Sequence, residues 1–575
     1  MPHHWKLPEQ APPPHTLDWA SRLGVAPFLA GLLWQRGLDS LEAMDAFLVP
    51  RLQGLAPLDA WPGLRESADV LLDVIDKGEP LLVWGDYDVD GITGSALMEQ
   101  VLHFHGVDVR VHLPDRQTEG YGLNSASIER FAAEGVKALL TVDCGISDVD
   151  AVARARELGM RVVISDHHLP PDELPAAHAV CNPRLAECPC PHLAGVGVAF
   201  FLMAAVNAGL AERTGKRMDM RQVLDVVTLG TLADVVPITG QNRILVKNGL
   251  LLLAKPERPG IAELKAVSGY NPSATLGAGQ VVFNLAPRLN AAGRIASATE
   301  ALDLLRAPDH DKAAAISKNL DMYNTRRRAE EDRILEEALA LATAELERAP
   351  RAGLVVWGES WHQGVIGIVA SRLVEAFYRP VLILCRDQDH YKGSGRSIAE
   401  FDLHAALETC APLLLGYGGH HQAAGLRIAG EQLEALRERF DTVARERLGH
   451  APLTPTLRLD GELTFDVASD FTFLKGLEQL QPYGMGNPEP VFASPPLTLR
   501  KQRIFGPNRD HVSLEVTDTT CGITLQAKLW RKAAEFPRLE PGCPLRLAYT
   551  PGLNAYNGVT SVELRVKDWK TGEQA

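Results

Sequence analysis

Between residues 66 and 240, short apolar runs alternate with stretches whose apolar residues recur at helical spacing. The runs lie at 81–84 (LLVW), 138–142 (ALLTV) and 162–164 (VVI). This alternation predicts βαβ units and a parallel sheet. Ligands of such sheets sit beyond the carboxyl ends of the strands. Each run is followed at once by side chains suited to metals: Asp86, Asp88 and Asp90; then Asp143; then Asp166, His167 and His168. Chance is a poor explanation for three strand ends loaded in this way.

A helical pattern extends from about 311 to 346, and its middle, 324–333 (NTRRRAEEDR), has no large apolar residue. A helix polar all round is expected to be a solvent-exposed bridge, here a connector of about 50 Å between two lobes. A second α/β pattern follows, with apolar runs at 354–357 and 381–385 and Gly-rich turns. Beyond about 450 the pattern is strand-dominated (LTLRKQRIF, HVSLEV, ITLQAKLW, LRLAYT, SVELRV), which predicts a small barrel of the OB type. The expected division is an N-terminal helical region (1–65), a catalytic α/β lobe (66–296), a connector helix (297–350), a second α/β lobe (351–448) and an OB-like domain (449–575). The fold class is therefore α/β, with two lobes joined by a long helix and an all-β C-terminal barrel. The apolar stretch 194–210 contains Asn207 and is expected to be a buried helix, not a membrane span.

At 575 residues the chain is too long for one core. Its start, MPHHWKLPEQAPPP, shows no apolar signal-peptide core. Eight scattered cysteines suit a reducing, cytoplasmic setting. Cys181, Cys188, Cys190 and His192 match no standard zinc spacing, and a reduced Pro-rich loop is the preferred reading. Net charge is −14, which argues against a nonspecific basic DNA-coating protein. Residues 451–575, however, carry 14 basic and 14 acidic side chains, so the acidity belongs to the catalytic body.

The spaced aspartates of 85–91 (GDYDVDG) do not make an EF-hand, which needs Glu at the twelfth loop position, where Leu97 stands. Asp234 ends an apolar helical stretch, and a buried acid there calls for a partner or a metal. Carboxylates with few histidines and no cysteine favour manganese or magnesium. Carboxylates converging from separate strands suit two-metal phosphoryl transfer. No G-x-S-x-G or P-loop pattern is present.

The blocks GDYDVDGIT, TVDCGIS, SDHH and LADVVP resemble the four motifs of the DHH phosphoesterase superfamily. NLAPRLNAAGR (284–294), GVIGIVASRL (364–373), GSGRS (393–397) and GGHHQAAG (418–425) resemble the RecJ-type subgroup and its DHHA1 domain. The resemblance implies a single-stranded-DNA-specific 5′→3′ exonuclease of DNA repair and recombination, using Mn2+ or Mg2+ at two sites. It maps metal ligation onto Asp88, Asp90, Asp143, His167 and Asp234, with Asp86 as an additional candidate. His168 takes a catalytic or phosphate-contacting part, and Asp143 is the bridging carboxylate. One position departs from the pattern: Trp84 stands where relatives often carry His.

The same resemblance places substrate contacts at Arg288, Arg294, Ser371, Arg372, Ser394, Gly395, Arg396, Ser397, Gly419, His420 and His421. Glycines admit backbone N–H groups to phosphate, and arginine forks suit its oxygens. Lys501, Arg503, Phe505 and Trp530 interleave charge with aromatic rings, as single-strand binding requires. Single-stranded DNA is the expected partner, with a single-stranded-DNA-binding protein and a helicase as further partners. A monomer is expected, without membrane contact. A small-molecule or oligonucleotide DHH phosphodiesterase or pyrophosphatase, and a non-catalytic replication scaffold, remain the rival readings.

Overall fold

The computed structural model describes residues 3–116, 118–449, 453–556 and 559–572. Parts of the expected N-terminal region (1–2) and C-terminal module (450–452, 557–558, 573–575) lie outside the described residues. The chain forms two compact units. One comprises residues up to 286, 302–314 and 456 onward; the other comprises 287–301 and 315–455.

The first unit holds a five-stranded sheet whose strands are all parallel. Its order is Val109–His112, Leu81–Gly85, Ala138–Val142, Arg161–Ser165, Ala179–Cys181. Leu81–Gly85 and Ala138–Val142 are buried along their whole length, which is why each reads as an unbroken apolar run. Leu82, Trp84, Leu139, Val162 and Ile164 pack with the helices Ser125–Ala133 and Val149–Glu157. The helices Val89–Phe104, Gly195–Thr214 and Leu224–Ala233 pack against one another. Gly195–Thr214 is long and apolar enough to cross a membrane, but it lies largely buried here, as its Asn207 suggests. From Leu81–Gly85 the chain winds outward to one neighbouring strand and then returns to the other. The switch point of the sheet therefore lies between the ends of Leu81–Gly85 and Ala138–Val142.

The C-terminal strands close a barrel. Pro544–Tyr556, Leu497–Phe505, His511–Asp518, Thr524–Leu529 and Val559–Thr571 pair in turn, and the last pairs back onto the first. The N-terminal helices share that module's core, which the sequence did not announce. Leu29, Leu33 and Met44 pack in one cluster with Phe465, Phe473 and Leu477, and His4–Lys6 pairs in parallel with Thr456–Arg458. Arg243 ties the catalytic part to this assembly. Its buried guanidinium lies 3.6 Å from the centre of the Phe47 ring and donates to the carbonyls of Phe47 (2.8 Å) and Gln481 (2.9 Å).

In the second unit the sheet order is Gly416–Gly419, Ala423–Ala429, His390–Arg396, Val381–Asp387, Leu354–Gly358, with only the last pair parallel. The helix His310–Arg348 is continuous over 39 residues. Its expected all-polar exposure needs correction. Asn324, Arg327 and Glu331 are buried: Arg327 donates to Glu331 (2.9 Å) and Asn324 (3.1 Å), although its Nε is left without a partner. Farther along, Ile334, Ala338 and Ala342 pack with the helix Ile366–Phe377 and the sheet.

Candidate metal centre

The four sequence blocks meet at the switch point. Asp86 follows Leu81–Gly85 directly. Asp88 caps the helix Val89–Phe104 by accepting from the N–H groups of Asp90 (2.9 Å) and Gly91 (3.1 Å). That cap turns Asp90 inward, where it accepts from Gly195 N (2.6 Å) and Val196 N (2.8 Å) at the start of the helix Gly195–Thr214. A helix N-terminus favours such a negative group. Asp143 has φ 63°, a left-handed conformation that an L residue adopts at a cost of order 1–3 kcal/mol. The helix start approaches it so closely that a Cβ on Gly195 would lie 2.7 Å from the Asp143 side chain. Asp234 ends the helix Leu224–Ala233.

His167 Nε2 lies 3.1 Å from Asp143 Oδ1, 3.7 Å from Asp234 Oδ2 and 3.9 Å from Asp90 Oδ2. Three overlapping groups offer ligand atoms within 4.8 Å of one another: Asp86 with Asp88 and Asp143; Asp90 with His167 and Asp234; and Asp143 with both histidines. Burial, then the surrounding carboxylates, push the carboxyls of Asp86, Asp90 and Asp143 well above the usual range. Burial also raises Asp234, against the pull of His167, and lowers His167 itself, leaving a neutral imidazole suited to ligation. Asp86 Oδ1, Asp143 Oδ1, Asp234 Oδ2 and His167 Nδ1 are buried without a hydrogen-bond partner. Orphaned carboxylate oxygens grouped with other ligand atoms are what divalent cations satisfy, so these residues fit manganese or magnesium.

His168 stands apart. Its Nδ1 lies 2.8 Å from Asp166 Oδ1 and 3.9 Å from Asp143 Oδ1. Burial alone would lower its pKa, but the hydrogen bond and charge of Asp166 outweigh burial and raise it to about 9. Asp166 is the supporting carboxylate of the motif. It accepts from Ile146 N (3.0 Å), His167 N (2.7 Å) and His168 N (3.1 Å). Burial pushes its carboxyl up, but the contact with His168 and these donors hold it below the usual range. Trp84 is fully buried and faces the sheet's apolar core, 4.5 Å from the His112 ring. The carboxylates of Asp86, Asp88 and Asp143 group without any help from that position. Among the described residues, no metal-holding group includes Cys181, Cys188, Cys190 or His192; Cys188 and Cys190 face each other with sulfurs 3.3 Å apart.

Three features escaped the sequence reading. Tyr121 places its hydroxyl 3.4 Å from both His168 Nδ1 and the Asp143 carbonyl. Asn182 and Arg184 donate to the backbone carbonyls of His168 (2.9 Å) and His167 (2.7 Å). Gly195 makes room for Asp143. The position of Tyr121 beyond the strand Val109–His112 was the available signal for the first.

In the second unit, Arg396 donates to Ser394 Oγ (3.2 Å) and to the Gly395 carbonyl (2.7 Å). A Cβ on Gly367, in the first turn of Ile366–Phe377, would lie 3.0 Å from Ser394 Oγ, so that helix start adjoins Ser394 and Arg396. Arg294 donates to the Gly364 carbonyl (2.8 Å) beside the same turn. Gly419 ends the strand Gly416–Gly419 and is exposed with His420 and His421 in the turn that follows, and Ser397 N–H donates to Gln422 O at its base. Gly395 is buried against Leu382 and Leu403 and lets the strand pack. Ser371 donates to its own helix, Arg372 pairs with Glu375 (3.1 Å), and Arg288 pairs with Asp321 (2.8 Å).

On the barrel, Trp530 is half exposed and forms one aromatic cluster with Phe505 and His511. Lys528 Nζ lies 5.7 Å from the Trp530 ring and 5.9 Å from Phe505, and Lys501 and Arg503 are exposed on the strand Leu497–Phe505, which Phe505 ends.

Three family models match the chain: the DHH family N-terminal domain over 80–231, the DHHA1 domain over 351–446 and the RecJ OB domain over 459–568. The chain is 37% identical over 563 residues to the single-stranded-DNA-specific exonuclease RecJ of Dickeya dadantii, covering 94% of this chain and 95% of the relative. The crystal structure of RecJ from Thermus thermophilus in complex with Mn2+ superposes with a TM-score of 0.83 at 30% identity, over 99% of this chain and 80% of that one. The same protein in complex with Mg2+ gives a TM-score of 0.76 at 29% identity, over 99% and 79%. With the four DHH blocks gathered at one switch point and all three domain types present in order, the chain belongs to the RecJ family.

Proposed function

We propose that this chain is a metal-dependent exonuclease that hydrolyses single-stranded DNA from its 5′ end, in DNA repair and recombination. The observation that carries the reading is the convergence of orphaned, buried carboxylate oxygens around Asp143. The Dickeya dadantii relative is named a single-stranded-DNA-specific exonuclease, and the Thermus thermophilus structures hold Mn2+ and Mg2+. Asp86, Asp88 and Asp143 would hold one cation, and Asp90, His167 and Asp234 the other, with Asp143 shared. Manganese or magnesium bound there supplies Lewis acidity, which lowers the pKa of an attacking water and offsets charge in the transition state.

The chain's own residues do the remaining work. The N–H groups of Gly195 and Val196 fix Asp90, and Asp88 is fixed by the cap it makes. Asp166 holds Nδ1 of His168 and so orients the ring, leaving Nε2 to donate a hydrogen bond to the scissile phosphate. Arg396, Ser394, Ser397, Arg294 and the turn at Gly419, His420 and His421 bind backbone phosphates. We assign Arg288, Ser371, Arg372 and Gly395 a supporting part, since each is engaged within its own unit. Lys501, Arg503, Phe505 and Trp530 hold the strand by charge and base stacking. On this reading catalysis belongs to the segment 66–296, phosphate binding to 351–448 together with Arg294, and strand binding to 449–575.

Such an activity calls for a helicase to expose the strand and a single-stranded-DNA-binding protein that coats it. All the proposed metal ligands come from one chain, which supports a monomer as the acting species. Its eight thiols are free, which suits the cytoplasm. The test is a time course with manganese on a single strand, a 5′-tailed duplex and a blunt duplex of matched sequence. Unpairing costs about 1.4 kcal/mol per base-pair step, so the blunt duplex is expected to react slowest by orders of magnitude. Equal rates on the single strand and the blunt duplex would refute single-strand selectivity.

A further inference from the structure

The segment 182–196 connects the histidine motif to the helix start that holds Asp90, and it carries a pair of thiols that the hydrolysis does not use. At its beginning Asn182 and Arg184 donate to the carbonyls of His168 (2.9 Å) and His167 (2.7 Å). At its end the N–H groups of Gly195 and Val196 hold the Asp90 carboxylate. Between these anchors stands Cys188-Pro189-Cys190. The two sulfurs lie 3.3 Å apart, and the Cys190 N–H donates to the Cys188 sulfur at 3.4 Å. Both thiols are free; Cys188 is partly exposed and Cys190 is buried. Burial, then the contact with Cys188, pushes the Cys190 thiol up, so it keeps its proton in the resting protein.

A soluble oxidant therefore meets Cys188 first, with Cys190 waiting in contact as the resolving thiol. Bonded sulfurs stand about 2.05 Å apart, so closing the bond asks for about 1.2 Å of travel between side chains that already converge. The chain after Cys190 is tied down. The Cys190 carbonyl accepts from Leu193 N (3.3 Å), the His192 carbonyl accepts from Asn242 (2.6 Å), and Leu193 and Ala194 are buried. Residues 184–187 are exposed, so the movement is taken up on that side. The contact it draws on is the bond from Arg184 to the carbonyl of His167, one of the metal-holding side chains.

We propose that Cys188 and Cys190 form a reversible disulfide in the presence of a peroxide, and that this bond loosens the metal centre through Arg184. Hydrogen peroxide transfers one oxygen to the Cys188 sulfur, giving a sulfenic acid and one water. The Cys190 sulfur then attacks the sulfenic sulfur. The S–S bond forms, the S–O bond breaks, and the leaving hydroxide takes the Cys190 proton as a second water. Two electrons pass from the thiols to the peroxide. A dithiol reductant restores both thiols and leaves as its own disulfide. Losing an outer partner of a metal ligand costs about 10–100-fold in metal affinity or activity.

The disulfide stands on the cysteines alone, whereas its effect rests on the metal-centre reading, and the experiment separates the two. Metal-free full-length protein is treated with hydrogen peroxide, cleared with catalase, and divided between peptide mass mapping and manganese titration calorimetry, with one portion returned to dithiothreitol. The proteins are the wild type, Cys188→Ser, Cys190→Ser and Arg184→Ala. Mapping should find Cys188 bonded to Cys190 in the wild type, and a sulfenic acid at Cys188, trapped by dimedone, in Cys190→Ser. Oxidised wild type should bind manganese about tenfold more weakly and recover on reduction. Cys188→Ser should keep its affinity throughout. Reduced Arg184→Ala should match oxidised wild type and lose nothing more on oxidation. Free thiols at Cys188 and Cys190 under conditions that oxidise the exposed Cys521 overturn the site. A disulfide that leaves manganese affinity unchanged, or an equal loss in Cys188→Ser, overturns the coupling. Reduced wild type that binds no manganese overturns the metal-centre reading and the coupling with it, while the mapping still decides the disulfide.

Discussion

Gly195→Ala probes how strictly the start of the helix Gly195–Thr214 sets the metal centre. The new methyl would sit 2.7 Å from Cβ and Oδ1 of Asp143, about 0.7 Å short of ordinary van der Waals contact. Asp143 cannot retreat easily. It is buried, its backbone is already left-handed, and its N–H is bonded to Ser165 O at 3.0 Å. The helix start must shift instead, drawing the N–H groups of Gly195 and Val196 away from Asp90. Displacing reacting groups by about 1 Å costs about 100-fold in rate, or ~2.7 kcal/mol. Stability should change less. Overpacking costs ~1–3 kcal/mol, and replacing a helical glycine returns ~0.5–1 kcal/mol. Single-turnover hydrolysis, manganese titration calorimetry and thermal melting would be measured together. Gly279→Ala is the control, since nothing lies within 4 Å of the added carbon. Turnover within about threefold of wild type, with unchanged manganese affinity, would refute the claim that this helix start sets the ligand geometry.

The carboxyls of Asp86, Asp90 and Asp143 are raised chiefly by burial, so for these groups the metal-free protein is most stable below the ordinary carboxylate range and loses stability as pH rises through their folded pKa values. Manganese should reverse that slope and release protons on binding, which calorimetry in buffers of different ionisation enthalpy reads directly; binding without proton release would contradict it. Trp530→Ala should weaken binding to long single strands by ~1–3 kcal/mol while leaving kcat on short ones unchanged. Replacing Lys501 and Arg503 together by Ala should reduce the slope of log K against log salt by about 0.7 for each lost phosphate contact. Fluorescence anisotropy at several salt concentrations checks both, and unchanged affinity and slope would assign this face of the barrel to another purpose.

The catalytic strands were legible because Leu81–Gly85 and Ala138–Val142 are buried on both faces and read as plain apolar runs, each ending in its aspartate. The edge strand Val109–His112 was not, because Arg110 and His112 interrupt it and it is only half buried, so the loop beyond it that carries Tyr121 escaped notice too. The middle of the helix His310–Arg348 looked solvated because its residues are polar. Asn324, Arg327 and Glu331 are instead buried, with Arg327 bonded to both of the others, a pairing that composition alone does not reveal. Packing of Leu29 and Met44 against Phe473 and Leu477 joins segments more than 400 residues apart, beyond the reach of any local pattern. Gly195 gave no signal because its importance lies in what stands opposite it, Asp143.

The central claim is that the Asp143 cluster drives metal-dependent hydrolysis from the 5′ end. The most direct measurement follows one oligonucleotide, labelled at its 5′ end in one reaction and at its 3′ end in another, with wild type and Asp143→Ala, with and without manganese. Wild type with manganese should release the 5′ label at once as a mononucleotide, while the 3′-labelled strand shortens in steps; neither should occur without manganese or with Asp143→Ala. Release of the 3′ label first, or near-normal turnover by Asp143→Ala with manganese, would contradict it.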